Sequence, residues 1–150
     1  MKLFEFFSDN EVALDLAATT KKAVLEEMVE LLGLDQDAQQ LLVKLLKKRE
    51  NLGSTGIGKH VAIPHCRSLV VNRLRVAYGR KPAGLDFNAI DDLPVNHLFL
   101  IVAPPVEISN QYLPVLGKIA QFCKNEQNIA QLNEINSTDQ FLAVLKDAEV

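Results

Sequence analysis

The chain has 150 residues and a net charge of −3, with 48% hydrophobic and 23% charged residues, 7 Gly and 6 Pro. That length supports a core burying roughly 68–70% of the surface exposed in the unfolded chain, and the composition excludes a disordered, collagenous or low-complexity polymer. The longest apolar run, Leu98 to Ala103, falls far short of the about 20 residues that cross a bilayer. Glu5 and Asp9 interrupt the apolar N-terminus, so it does not read as a signal peptide. Cys66 and Cys123 form no dense disulfide framework, which makes a reducing cytoplasm the expected compartment.

Leu14-Asp15-Leu16 leads to Thr19-Thr20, an N-cap for a helix carrying Val24/Leu25, Met28/Val29 and Leu31/Leu32 and stopped by Gly33. Asp35 caps a second helix, with Leu41/Leu42 and Leu45/Leu46 on one stripe and Lys47-Lys48-Arg49 in its last turn, where cations suit the helix dipole. Residues 51 to 59 read as a loop with three glycines. His60 to Ile63 reads as a short strand whose ladder Pro64 ends. Arg73 to Arg80 reads as a strand in which Leu74, Val76 and Tyr78 alternate with other residues. Asp91 to Pro94 is a turn, and Val95 to Val102 is the most buried strand, closed by Pro104-Pro105. A third helix spans about Gln111 to Lys124, with Leu113, Leu116, Ile119/Ala120 and Cys123 as its core stripe. Helical turns follow at Asn128 to Leu132, and Ser137 to Gln140 is a capping box for a last helix. No repeat or linker interrupts this pattern, which predicts one α/β domain over residues 1–150.

Charge is unevenly distributed. Residues 44 to 81 hold ten Lys and Arg against one acid, Glu50, while the rest of the chain holds 6 against 18. A basic middle in an acidic protein points to an anionic ligand or partner surface, unless these side chains are simply solvated. Nucleic acid fits poorly: the chain has no Trp and no basic stripe interleaved with aromatics. No basic amphipathic helix with bulky aromatics supports membrane binding.

Gly53 to Lys59 satisfies the spacing G-x-x-x-x-G-K. A P-loop would then need Ser or Thr for magnesium, where His60 stands, and would follow a buried strand and open a helix. This segment follows a helix end and precedes a strand. The remaining candidate is His65, behind Pro64. Histidine becomes a nucleophile when one ring nitrogen is free and the other is held as N–H by a partner. A phosphorylated imidazole needs donors, and backbone N–H groups of the glycine loop, the hydroxyls of Ser54 and Thr55, and the guanidinium forks of Arg49 and Arg67 can supply them. On spacing alone, the alternative is a satisfied turn histidine beside glycines that merely turn the chain. His60, His65, Cys66 and His97 match no zinc spacing. Cys66 is a candidate thiolate nucleophile, but neighbours in an extended chain point apart. Asp91 and Asp92 are explained by their turn.

Arg49-Glu50-Asn51-Leu52-Gly53-Ser54-Thr55-Gly56-Ile57-Gly58, followed by Val61-Ala62-Ile63-Pro64-His65-Cys66-Arg67, resembles the signature of the type 2 enzyme IIA domains of the bacterial phosphoenolpyruvate-dependent phosphotransferase system, in the fructose, mannitol and nitrogen-regulatory group. The likeness extends through Leu14-Asp15-Leu16, Asp86 to Asp91, Pro94-Val95, the Leu98 strand and the Leu113/Leu116 helix. It implies a single domain with a mixed β-sheet flanked by helices on both faces. It also implies a phosphohistidine carrier in which His65 Nε2 accepts a phosphoryl group from an HPr-like phosphocarrier. The carrier passes the group to an enzyme IIB or uses it as a regulatory signal. Arg49 would be the charge partner, Ser54 and Thr55 loop ligands, and no metal, nucleotide or other cofactor is implied. Tyr112 stands where the family often has a second active-site histidine, and would donate a hydrogen bond to the phosphoryl group without carrying charge. His60 stands where a glycine is usual and reads as a surface residue. Without fused IIB or IIC segments, the nitrogen-regulatory type is favoured over a fructose- or mannitol-type uptake component. A phosphorylation-dead binding module is the alternative that Tyr112 raises.

Overall fold

The computed structural model describes all 150 residues. At its centre lie two long antiparallel strands, β5 (Arg75–Leu85) and β6 (Val95–Ala103), joined across the Asp91–Pro94 turn. The other strands are short: β1 (Val12–Ala13), β2 (Gly56–Gly58), β3 (Val61–Ala62) and β4 (His65–Arg67). β1 runs parallel to β5, β3 and β4 run parallel to β6, and β2 pairs antiparallel with β3. The sheet is therefore mixed, in the order β1-β5-β6-β3-β2.

β3 and β4 keep one register against β6. Ala62 pairs with Leu98 and His65 with Ile101, three residues on in both chains. They are two halves of one parallel strand interrupted at Ile63-Pro64, where proline supplies no N–H to the ladder. β4 was not foreseen, because Pro64 reads as an end rather than as an interruption. Residues 51 to 59 are likewise not all loop: α2 runs on to Asn51, and Gly56–Gly58 is β2.

Alternation along the strands divides the core into two. Val76, Tyr78, Phe99, Ile101 and Ala103 face α3 (Tyr112–Lys124), α4 (Glu126–Glu134) and α5 (Thr138–Asp147). Ala77, Leu98, Leu100 and Val102 face α1 (Lys21–Glu30) and α2 (Gln36–Asn51). Helices thus cover both faces, and burial of each large apolar side chain contributes about 1.5–3 kcal/mol. Gly79 permits close packing of α1: a Cβ there would stand 2.4 Å from Met28 Sδ.

The helix caps follow the sequence. Thr20 accepts from the Ala23 N–H, Asp35 from Ala38 and Ser137 from Gln140. The Ser137 box closes imperfectly, since the Gln140 side chain accepts from the Asn136 N–H and not from that of Ser137. Two core stripes differ from expectation. Leu41 is exposed while Leu42 and Leu46 are fully buried. On α3 the buried stripe is Tyr112, Val115, Ile119, Phe122 and Cys123, and Leu113 is 69% exposed. The true stripe lies one residue to the side of the predicted one, because Tyr112 turns inward at the first position of the helix.

Candidate functional site

His65 opens β4 beside Ile101 and is half-buried. Its Nδ1 lies 2.6 Å from the carbonyl oxygen of Ile63. A carbonyl only accepts, so Nδ1 carries the proton and Nε2 keeps its lone pair. The Ile63 N–H donates to the Thr55 carbonyl, and the Ile63 carbonyl, on the same edge of the strand, accepts from the imidazole.

Tyr112 begins α3, its ring centroid 6.2 Å from that of His65. Arg67, two residues after His65 on the same face of β4, lays its guanidinium 4.5 Å above the Tyr112 ring and donates from Nη1 to the Pro104 carbonyl at 2.9 Å. Burial pushes the Tyr112 phenol up to about 12, with Cys66 also raising it and the guanidiniums of Arg67 and Arg49 pulling it down. The hydroxyl therefore stays protonated across the physiological range. Arg49 sits in the last turn of α2, which packs against β4, and its Nη1 donates to the Gly53 carbonyl at 2.9 Å. Cys66 points to the opposite face, among the residues under α1 and α2, and burial lifts its thiol to about 11. It is a neutral thiol at pH 7, not a thiolate nucleophile.

The glycine loop is occupied by its own bonds. The buried Glu50 carboxylate accepts from the Thr55 N–H at 3.0 Å and from the Thr55 hydroxyl, and pairs with Lys21 Nζ at 3.1 Å. Ser54 donates its hydroxyl to the Phe87 carbonyl at 2.6 Å and accepts from the Gly56 N–H at 3.0 Å. The expected phosphate ligands Ser54 and Thr55 are thus committed as braces, and so are several of the N–H groups that were to form a cradle. Glu50 was the missed residue. Its signal was its isolation as the single acid within the basic window. Gly56 has a packing reason: a Cβ there would stand 2.8 Å from the Ala89 Cα.

The other sequence candidates lie elsewhere. His60 occupies a turn at φ +68°, and its Nδ1 donates to the Pro94 carbonyl at 2.8 Å. His97 is fully buried in β6 with both ring nitrogens engaged. Its Nε2 donates to Asn133 Oδ1 at 2.9 Å, and its Nδ1 accepts from the Tyr78 hydroxyl at 2.7 Å. Asp91 binds the Lys59 and Leu93 N–H groups, which hold its carboxyl below the usual range. The larger surface hollows, such as that of about 440 Å³ between Glu26 and Lys47, are not lined by His65. The segments that follow β4 and β6 and the start of α3 expose Leu69, Val106, Ile108 and Leu113.

A mixed sheet with helices on both faces thus carries, on one of its strands, a half-buried histidine whose Nδ1 is held by a backbone carbonyl. Residues 5–148 match the family described as the phosphoenolpyruvate-dependent sugar phosphotransferase system, EIIA 2. The chain belongs to this family. It is 30% identical over 148 residues to the fructose-specific EIIABC component of the phosphotransferase system in Bacillus subtilis (strain 168), covering 97% of this chain but only 23% of that protein. It is 32% identical over 123 residues to the nitrogen regulatory protein of Pseudomonas aeruginosa, covering 80% of this chain and 79% of that one. The crystal structure of nitrogen regulatory protein IIA-Ntr from Neisseria meningitidis superposes with a TM-score of 0.86 at 29% identity, over 95% of this chain and 98% of that one. No helix is long and apolar enough to cross a membrane.

Proposed function

We propose that the chain is a phosphohistidine carrier whose acceptor atom is His65 Nε2. The observation that carries this reading is the Nδ1–H bond to the Ile63 carbonyl, which in the neutral imidazole puts the lone pair on Nε2 without help from another side chain. The Nε2 lone pair attacks the phosphorus of a donor phosphohistidine in line. A P–Nε2 bond forms as the donor P–N bond breaks, and its electron pair stays on the donor imidazole. Such transfer rests on positioning and charge stabilisation, which Arg49 is placed to provide.

The donor is an HPr-like phosphocarrier protein. His65 is half-buried rather than enclosed, and Leu69, Val106, Ile108 and Leu113 expose apolar area on the segments that follow β4 and β6 and open α3. These features suit a protein partner better than a small molecule. Downstream, the group goes to an enzyme IIB or remains as a signal to a regulated target. The regulatory role is the favoured one, supported by the likeness to nitrogen regulatory proteins over most of both chains.

Intact mass spectrometry after incubation with phosphoenolpyruvate, enzyme I and HPr of either the sugar or the nitrogen branch tests this. One phosphoryl mass on the wild type and none on His65→Ala is expected. No gain with either donor would sink the carrier reading and leave a binding-only module.

A further inference from the structure

Resting on that carrier reading, we propose that Arg67 is a second cation on the phosphoryl group of His65, and that Tyr112 is the positioning residue that shelves it. Four observations converge. His65 and Arg67 are two apart on β4, paired in order with Ile101 and Ala103, so their side chains leave the sheet on one face. The Tyr112 ring neighbours both, 6.2 Å from the imidazole centroid and 4.5 Å from the guanidinium carbon. One bond from Nη1 to the Pro104 carbonyl anchors the fork, while Nε and Nη2 keep their N–H groups for another acceptor. No carboxylate claims Arg67: the chain's ion pairs are Lys21–Glu50, Lys47–Glu26 and Arg75–Glu11.

Several nearby donors already have partners. The first N–H of α3, that of Tyr112, already donates to Glu107 Oε1 at 3.0 Å, and the Gln111 side chain gives that end no cap. Ser54, Thr55 and the N–H groups of Thr55 and Gly56 serve Phe87, Glu50 and Ser54. Arg67, stacked on the ring that also neighbours His65, keeps two of its fork's donor groups open on that face of β4. A cation stacked on a neutral ring keeps its plane without losing its charge, and here the ring does for Arg67 what a carboxylate would do at the cost of neutralising it. Tyr112 then contributes a flat surface more than a hydroxyl.

The test compares phosphoryl gain by intact mass in a time course with the phosphorylated donor, and the lifetime of the isolated phosphorylated chain. Arg67→Ala should slow phosphoryl gain about 10- to 100-fold, the range for loss of a charge-assisted contact. Arg67→Lys should fall between. Tyr112→Phe, which keeps the ring, should stay within about twofold of wild type, while Tyr112→Leu should approach Arg67→Ala. The double variant Arg67→Ala/Tyr112→Leu should be no slower than Arg67→Ala alone by more than about twofold, since the two act as one unit. Arg67 is solvent-exposed, so Arg67→Ala should keep the wild-type circular dichroism and melting temperature, which separates a site effect from unfolding. Wild-type rate and phosphohistidine lifetime in Arg67→Ala would overturn this inference while the carrier reading stands. A wild type that never gains the phosphoryl group would overturn both. A Tyr112→Phe as slow as Tyr112→Leu would remove the shelf and give the role to the hydroxyl.

Discussion

His65 and His97 reach neighbouring strands of one sheet with opposite fates. His65, half-buried, spends Nδ1 on a backbone carbonyl and has no hydrogen-bond partner at Nε2. His97 spends both nitrogens, on Tyr78 and Asn133, beneath a fully buried face where it also stacks on the Tyr78 ring. Burial, helped by the nearby Arg80 and His60 charges and opposed by the Asn133 bond, lowers the His97 pKa to about 4. The difference is one of bookkeeping at a single nitrogen. The histidine with one partner keeps a nitrogen that the proposed carrier role needs, and the histidine with two is a polar strut of the core.

The comparison is broken most sharply by removing each histidine in turn. His65→Ala should abolish phosphoryl gain and shift the melting temperature by no more than about 2 °C, because it gives up one half-buried hydrogen bond. His97→Leu should do the reverse. It strands the Tyr78 hydroxyl without an acceptor in a fully buried site, which costs about 2–4 kcal/mol, or roughly 5–15 °C in a domain of this size. The folded fraction should still accept the phosphoryl group. If His97→Leu melted like wild type, the strut assignment would fail.

A pH series sharpens the same contrast. The folded pKa of His97, about 4, lies below its ordinary 6.5. Between these values the unfolded chain binds a proton that the folded chain refuses, so folding loses stability as pH falls and holds the full contribution above 6.5. From pH 6.5 to 5 the loss from this residue should be about 2 kcal/mol. Urea unfolding at pH 7.5, 6.5 and 5 should show it, and His97→Gln should flatten the slope over that interval.

The layered α/β order, the Thr20, Asp35 and Ser137 caps and the burial of β6 were legible because each rests on local chemistry or strict alternation. The partner that holds His65 Nδ1, the Ile63 carbonyl, lies two residues away, yet spacing alone did not name it. What else escaped reading depends on partners far along the chain. Ser54 looked like a phosphate ligand until Phe87, over thirty residues away, took its hydroxyl. Leu113 looked like core because one residue of rotation at a helix start cannot be read from an apolar count, and only the inward turn of Tyr112 decides it. Glu50 needed both Thr55 and Lys21 in place before its role was visible.

The Glu50–Thr55 brace therefore makes its own prediction, smaller than the His97 effect. Thr55→Val keeps the shape but removes the hydroxyl from a buried carboxylate that retains the Thr55 N–H and Lys21. It should cost about 1–3 kcal/mol, read as a lower denaturation midpoint at unchanged slope. Phosphoryl gain at 25 °C should fall by less than the Arg67→Ala variant shows, since the brace supports the loop before His65 and not the phosphoryl group. A loss of transfer as complete as that of His65→Ala would return Thr55 to the role of ligand.

The smallest effect belongs to the third histidine. Lys59 and His60 both adopt positive φ, +56° and +68°, a conformation that costs a residue with a side chain roughly 1–2 kcal/mol. His60 recovers part of this through its bond to the Pro94 carbonyl. The two terms can be separated. His60→Ala keeps the strain and loses the bond, and should destabilise by about 1 kcal/mol. His60→Gly relieves the strain, loses the bond and frees the unfolded chain, three effects of similar size that should leave stability within about 1 kcal/mol of wild type and above that of His60→Ala. Neither should change the rate of phosphoryl gain, because the imidazole is tied to the β5–β6 turn and not to His65. A slower His60→Ala carrier would show instead that this histidine adds a cation at the rim of the site.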